Sequence, residues 1–350
     1  MEAVFRAMLI VVVAAAAAAT VYKIVPGISF LLSAAAALLA LLLLSFVWGR
    51  YDVPLSEVVR ILLSRLFPVE QTWTDNMAIA VWNVRLPRIL LACLVGCALS
   101  AAGASYQTVF QNPMAAPDIL GASSGACFGA ALAILTGQGS VTVTVYAFCA
   151  SLLSVALVYL VGRRTRGSRV MNLLLAGIMV GSLFTAGTSY IKLVADPSNQ
   201  LPQITYWLMG SLSGTRMKTV TFAAACMAVG LLPLLLLRWR MNLLTLSADE
   251  ARAMGVHTDR LRLTVILSAT VLTASAVSVS GMIGWVGLVI PHLSRRIVGN
   301  DCRWLLPMSM LFGAAFLLLV DNLARCLTAV EIPIGILTAF VGAPFFIYLM

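Results

Sequence analysis

Ten times along this 350-residue chain, a run of about 20 mostly uncharged, apolar residues is closed off by charge, proline or glycine. Wound as a helix at about 1.5 Å per residue, such a run covers about 30 Å, the thickness of a bilayer's hydrocarbon core. Lipid offers no hydrogen bonds to a backbone, so each run must pair its own amides and carbonyls, which a helix does and an open strand does not. The reading is an all-α, polytopic membrane protein with about ten transmembrane helices. They fall near residues 28–48, 86–110, 119–136, 140–162, 170–193, 218–238, 263–280, 283–298, 304–326 and 332–350. With 61% apolar residues and no long polar stretch, the soluble-globule class is excluded, and residues 28–350 read as one transmembrane domain. Residues 1–27 stand apart: an Ala-rich run near 7–22 precedes the break at Pro26 and Gly27. It reads as an eleventh helix, a start-site extension or a signal-like segment.

The net charge of +10 would point to nucleic acid in a soluble domain, but in a chain of short loops it sets topology instead. Arg163, Arg164, Arg166 and Arg169, then Arg238, Arg240, Arg252, Arg260 and Arg262, then Arg295, Arg296 and Arg303 share one side if ten spans alternate. That side is assigned to the cytoplasm, and no nucleic-acid partner is expected. The opposite loops hold Arg50, Arg60, Arg65, Arg85, Arg88, Arg216 and Lys218, offset by Asp52, Glu57, Glu70 and Asp75. The seven cysteines show no Cys-x-x-Cys spacing, and His257 and His292 sit in no ligand cluster, so no metal site is expected.

On the basic side lies SADEARAMGVHTDRLR, residues 247–262, with six charged residues in a chain where only a tenth are charged. Ser247 with Glu250 three residues on is a capping box, and Asp249 and Glu250 occupy the first turn, where the helix dipole favours acids. Ala248, Ala251 and Met254 recur on one face, and Gly255 supplies a stop. Thr258 or Asp259 can cap the next start, so the expected form is short helix, glycine corner, helix. Two turns fall short of the roughly 12–15 residues at which a helix is even marginal in water. Either a partner packs against this element, or it is a solvated connector with good caps.

Elsewhere, Arg85 and Arg88 share a helix face at the outer surface, where they either snorkel to the interface or meet acidic groups of an external protein; Arg325 joins the same surface. Asn112, Pro113 and Pro117 break the backbone between two spans, and Gly121, Gly125 and Gly129 follow at four-residue spacing, a stripe suited to close helix packing. A similar break, EIPIGILTAFVGAPFF, closes the second half of the chain, and paired breaks of this kind mark transporters. Asp321 lies inside a span with Arg325 four residues on, which suggests a structural ion pair; the alternative is a proton relay, and with it a proton-coupled secondary transporter. None of the three lysines, Lys23, Lys192 and Lys218, sits in a phosphate-binding loop, so any ATP energy must come from another subunit.

The segments RLPRILLACLVGCALSAAGASYQTVFQNPMAAPDILGASSGA, YWLMGSLSG, MNLLTLSADEARAMGV, GMIGWVGLVIPHLSRRIVG and EIPIGILTAFVGAPFFIYLM together resemble the FecCD-type permease family, from about residue 28 to the C-terminus. The resemblance implies the type II ABC importer architecture: a ten-helix protomer in the bacterial or archaeal cytoplasmic membrane, forming a homodimer with its pathway on the dimer axis. It further implies two cytoplasmic ATPase subunits, which carry ATP and Mg while this chain binds no cofactor and is no enzyme, and one external substrate-binding protein. By the same route residues 240–262 become the coupling helices that meet the ATPase, through Ser247, Asp249, Glu250, Ala251, Arg252, Met254 and Gly255. Arg85, Arg88 and Arg325 become docking points for the binding protein. Asn112, Pro113 and Met114 become the cytoplasmic gate, with Val170 and Met171 on its other side, although these two are less polar than in some relatives. The implied cargo is a metal chelate, iron-siderophore or haem ahead of cobalamin.

Overall fold

The computed structural model describes residues 26–49, 51–65, 67–68, 70–164, 169–246, 250, 254–328 and 330–349. In chain order the helices are α1 Pro26–Val47, α2 Leu55–Leu63, α3 Asp75–Val109, α4 Ala122–Leu135, α5 Ser140–Arg164 and α6 Arg169–Val194. Then follow α7 Gln200–Leu208, α8 Met217–Met241, α9 Thr258–Ser280, α10 Val286–Val298, α11 Cys302–Cys326 and α12 Ile334–Leu349. All ten expected spans are present as helices; α2 and α7 are short additions in the connecting loops. Among the described residues seven helices are long and apolar enough to cross a membrane.

The three other spans, α4, α10 and α12, run to only 14, 13 and 16 residues, and each follows one of the backbone breaks. Pro117–Leu120 forms a 3₁₀ turn ahead of α4, with Pro117 and Leu120 buried. Residues 281–285 are irregular ahead of α10, with Ile283 buried and Trp285 at a left-handed φ of 69°. Pro117, Leu120, Gly281 and Ile283 thus set part of the irregular backbone against protein, where it is tolerated at membrane depth.

The hub is α3. Its first turns are capped by Thr74, whose hydroxyl accepts from the Met77 amide, and they widen into a π segment over Ala80–Arg85. Pro87 explains the widening: it has no amide to donate back along the helix, and Leu86 instead bonds to the Val81 carbonyl five residues behind. From Leu86 onward nearly every α3 side chain is buried, against α11, α9, α10 and α8. Small residues permit this: a Cβ on Gly96 would strike the Gly313 backbone of α11, and one on Gly103 the Gly287 backbone of α10.

The expected glycine stripe divides into two roles. Gly125 and Gly129 lie in α4 against α5, where a Cβ on Gly125 would come within 2.6 Å of the Ala150 carbonyl oxygen. Gly121 is outside the helix at φ 70°, a left-handed turn that its lack of a side chain allows, and its carbonyl accepts from the Ser154 hydroxyl at 2.8 Å. It closes the 3₁₀ turn one residue before α4, and a Cβ there would still come within 3.1 Å of Ser154 Oγ on α5.

Backbone hydrogen bonds fix the two ends of the bundle. At one end the Ser211 amide bonds to Ser280 and the Ile334 amide to Gly210, at 2.8 and 2.9 Å, joining the end of α9, the loop after α7 and the start of α12. At the other end α3 and α8 finish side by side.

Candidate functional site

This second end holds the predicted coupling segment. Beyond α8 the chain tightens into a 3₁₀ turn, Asn242–Thr245. The Asn242 side chain donates to Asp301 Oδ1 at 2.7 Å and accepts the Cys302 amide at 2.8 Å, so it is bolted to the start of α11. Asp301 also caps α11 by accepting the Arg303 amide at 2.9 Å, and its other oxygen lies 2.9 Å from Arg303 Nε. Partial burial pushes the Asp301 carboxyl up, but the Arg303 and Asn242 hydrogen bonds outweigh it and hold the group below its ordinary range. One turn along, the Leu244 carbonyl accepts from Gln111 Nε2 at 2.6 Å. The segment is therefore tied both to α11 and to the end of α3.

Of the residues assigned to coupling, Ser247, Asp249, Ala251 and Arg252 lie outside the described residues, and the capping box with them. Glu250 is helical, and its carbonyl accepts the Met254 amide at 3.2 Å. Gly255 turns the chain at φ 76°, with open space where a Cβ would be, and Met254 beside it is 58% exposed. The glycine corner is as expected, and an apolar side chain stands out from it. The start of α9 differs from expectation: His257 takes the cap position without a side-chain bond, and Thr258 is already helical and buried.

The Gln111 that holds Leu244 also opens the broken turn. Its backbone is left-handed, φ 49°, and Asn112 then closes an Asx turn by accepting the Met114 amide at 2.9 Å. Asn112, Pro113 and Met114 are all exposed, and the chain runs on into Pro117–Leu120, which packs on α6 where a Cβ at Gly177 would strike the Ile119 carbonyl. Val170, half-buried, and Met171, 54% exposed, begin α6 about two turns below that contact. Above it, small and hydroxyl side chains, among them Ser124, Ser182, Thr185 and Ser189, line a cavity of about 540 Å³ along the exposed face of α6.

At the opposite end the three arginines assigned to docking turn inward. Arg85 is 3% exposed and donates to the Phe46 and Tyr51 carbonyls, holding the end of α1. Arg88, 6% exposed, places Nε 2.9 Å from Asp321 Oδ1, while its Nη1 lies 3.0 Å from Glu331. Arg325 Nε is 3.2 Å from Asp321 Oδ2, and its Nη2 donates to Asn322. The expected Asp321–Arg325 pair is present, and the snorkelling arrangement is not: helix-buried guanidiniums found carboxylates and carbonyls within the chain, which a desolvated charge requires. Asp321 is itself fully buried between the two guanidiniums.

Sequence reasoning missed Gln111, Asn242, Asp301 and Glu331. Each is a single polar residue at a span end, and the partners of Asn242 and Glu331 lie 59 and 243 positions away in the chain. Only the Pro113 break beside Gln111 gave a signal.

The chain is similar to known permeases in sequence and in fold. It is 41% identical to the molybdate import system permease protein of Haemophilus influenzae over 301 residues, 85% of this chain and 88% of the relative. It is also 41% identical to the cobalamin import system permease protein of Halobacterium salinarum, over 81% of this chain and 76% of that one. A solved structure described as an inward-facing, metal-chelate type ABC transporter superposes with a TM-score of 0.83 at 38% identity, covering 91% of this chain and 97% of its own. Residues 37–350 match the FecCD transport family, and the chain belongs to that family of membrane permeases.

Proposed function

We propose that this chain is the transmembrane subunit of a binding-protein-dependent ABC importer, working as a homodimer with two cytoplasmic ATPase subunits and one external binding protein. The observation that carries this is the mechanical path at the cytoplasmic end. The 3₁₀ turn that leads into the coupling segment is tied by Asn242 to the start of α11 and by Leu244 to Gln111, the first residue of the turn that opens toward α6. Displacement of that element by an ATPase would be delivered to the ends of α3, α8 and α11 through bonds of 2.6–2.8 Å. Nucleotide chemistry resides on the ATPase subunits; this chain supplies the passage and the lever.

The gate is then Asn112, Pro113 and Met114 facing Val170 and Met171, with the hydroxyl-lined face of α6 as half of the conduit and the second copy as the other half. Such a lining grips no cargo strongly, which leaves selection to the external protein. The cargo we propose is a metal chelate, iron-siderophore or haem first and cobalamin second. The molybdate and cobalamin relatives stand at equal identity to this chain, so likeness alone does not rank cargoes. Docking through Arg88 requires exchange, with a carboxylate of the binding protein displacing Glu331, the more exposed of the two acids on Arg88. The N-terminal segment, residues 1–27, is assigned no part in this cycle.

A cysteine introduced as Met254→Cys, in a background lacking exposed thiols, tests the coupling surface. It should cross-link to the ATPase subunit in the assembled complex, and faster in the presence of nucleotide. A complex that assembles fully with no such cross-link would remove Met254 and its neighbours from the ATPase interface.

A further inference from the structure

On the perimeter of the bundle, α5 and α8 both pack on α9. Their own meeting point is an edge-to-face pair, Phe148 with Phe222, ring centroids 6.1 Å apart. From there to the outer end, about 12 Å along α5, the two helices part around the last turn of α9 and leave a cavity of about 680 Å³. Val141, Val145 and Phe222 form its apolar walls, Ser278 and Ser280 its floor, and Arg216 and Lys218 stand at its mouth. Val141 is 77% exposed, and farther down α8 Val229, Leu232 and Leu236 are exposed as well, so the groove opens where bilayer-facing surface meets the outer loops.

Three features of the mouth call for an anion. No aspartate or glutamate lines the cavity. Neither cation makes an ion pair or side-chain hydrogen bond with the described residues. Arg216 occupies the N-cap of the 25-residue α8 and Lys218 its first turn, which has no acid, so both sit at the pole of the helix where positive charge is disfavoured.

We propose that this groove binds a glycerophospholipid with an anionic headgroup. Its phosphate sits between Arg216 and Lys218, its glycerol oxygens face the hydroxyls of α9, and the first part of an acyl chain lies between α5 and α8 down to the Phe148–Phe222 pair. A free inorganic anion would satisfy the cations but leave the apolar walls uncovered, whereas a lipid covers both. This site lies apart from the gate and the coupling segment and does not depend on the transport reading.

The test is native mass spectrometry of the full chain in detergent with equimolar phosphatidylglycerol and phosphatidylcholine. Phosphatidylglycerol should be retained preferentially by about tenfold or more, since each cation near a headgroup contributes roughly fivefold. Arg216→Gln with Lys218→Gln should bring the ratio close to one. Val145→Trp, which fills the groove without changing charge, should lower retention of phosphatidylglycerol. Equal retention of the two lipids by the unaltered protein overturns the proposal, as does full retention by either variant. Displacement of phosphatidylglycerol by excess inorganic phosphate would assign the cations to a free anion and also overturn it.

Discussion

Replacing Asp321 by Asn removes one negative charge from a site with no solvent exposure and leaves two guanidiniums facing a neutral amide. Arg88 keeps Glu331 and Arg325 keeps Asn322, so the structure retains partners for both, but the central anion is gone. Breaking a buried pair by deleting one member costs about 3–5 kcal/mol. Coulomb attraction gives a similar size, about 4 kcal/mol for unit charges 4 Å apart at an effective dielectric of about 20. Arg88→Gln should cost a comparable amount. The double variant should cost less than the sum by about 1.5–3 kcal/mol, because the two single changes break the same contact. Unfolding of the protein in mixed micelles, followed across the four members of the cycle, measures this directly. Destabilisation by Asp321→Asn of under about 0.5 kcal/mol, or strict additivity in the cycle, would refute the network. The proton-relay alternative separates in the same material: the folded fraction of Asp321→Asn should import with no dependence on an imposed proton gradient.

Further outcomes follow from the same contacts. Asn242→Leu removes both bonds to the start of α11, so ATP hydrolysis by the assembled complex should persist while cargo moved per ATP falls several-fold; unchanged stoichiometry would show the link to be structural only. Because the Asp301 carboxyl is depressed in the folded state, its stabilising contribution is complete above the unfolded value of about 3.9 and is lost as pH falls through the folded one. Stability should therefore show no titration from this group between about pH 5 and 8, and Asp301→Asn should flatten the acid limb below that. Gly125→Leu forces a side chain into the Ala150 backbone and should destabilise by at least about 1–3 kcal/mol, measured as loss of folded protein on heating; a neutral result would mean that α4 and α5 are not in close contact. Glu331→Gln frees one arm of Arg88 and should tighten docking of an acidic binding protein, most visibly at low salt. Unchanged affinity would leave that arginine purely structural.

Seven of the ten helices were legible in the sequence because bilayer thickness imposes a length and a composition on a span; the shorter α4, α10 and α12 were legible from their apolar composition between charge, proline and glycine. The Gly255 corner and the break at Pro113 were legible for a similar reason, since glycine and proline restrict the backbone wherever they stand. The inward pairing of Arg88 was not. An arginine near a helix end has the same local sequence whether it reaches water or a carboxylate, and Glu331 lies 243 positions away. The Asn242–Asp301 bolt was hidden likewise, because both residues read as ordinary loop polar groups until α8 and α11 are brought together. Arg325 with Asp321 was found because the pair sits four residues apart on one helix.

ATP-driven uptake through the reconstituted complex decides whether this chain is an ATPase-powered importer subunit. The chain in proteoliposomes, with ATP inside, the external binding protein and a labelled iron chelate outside, should accumulate cargo only when the ATPase subunits are present. It should lose that uptake when an ATPase unable to hydrolyse nucleotide is substituted. Sustained accumulation by this chain alone, without any ATPase subunit, would contradict the account.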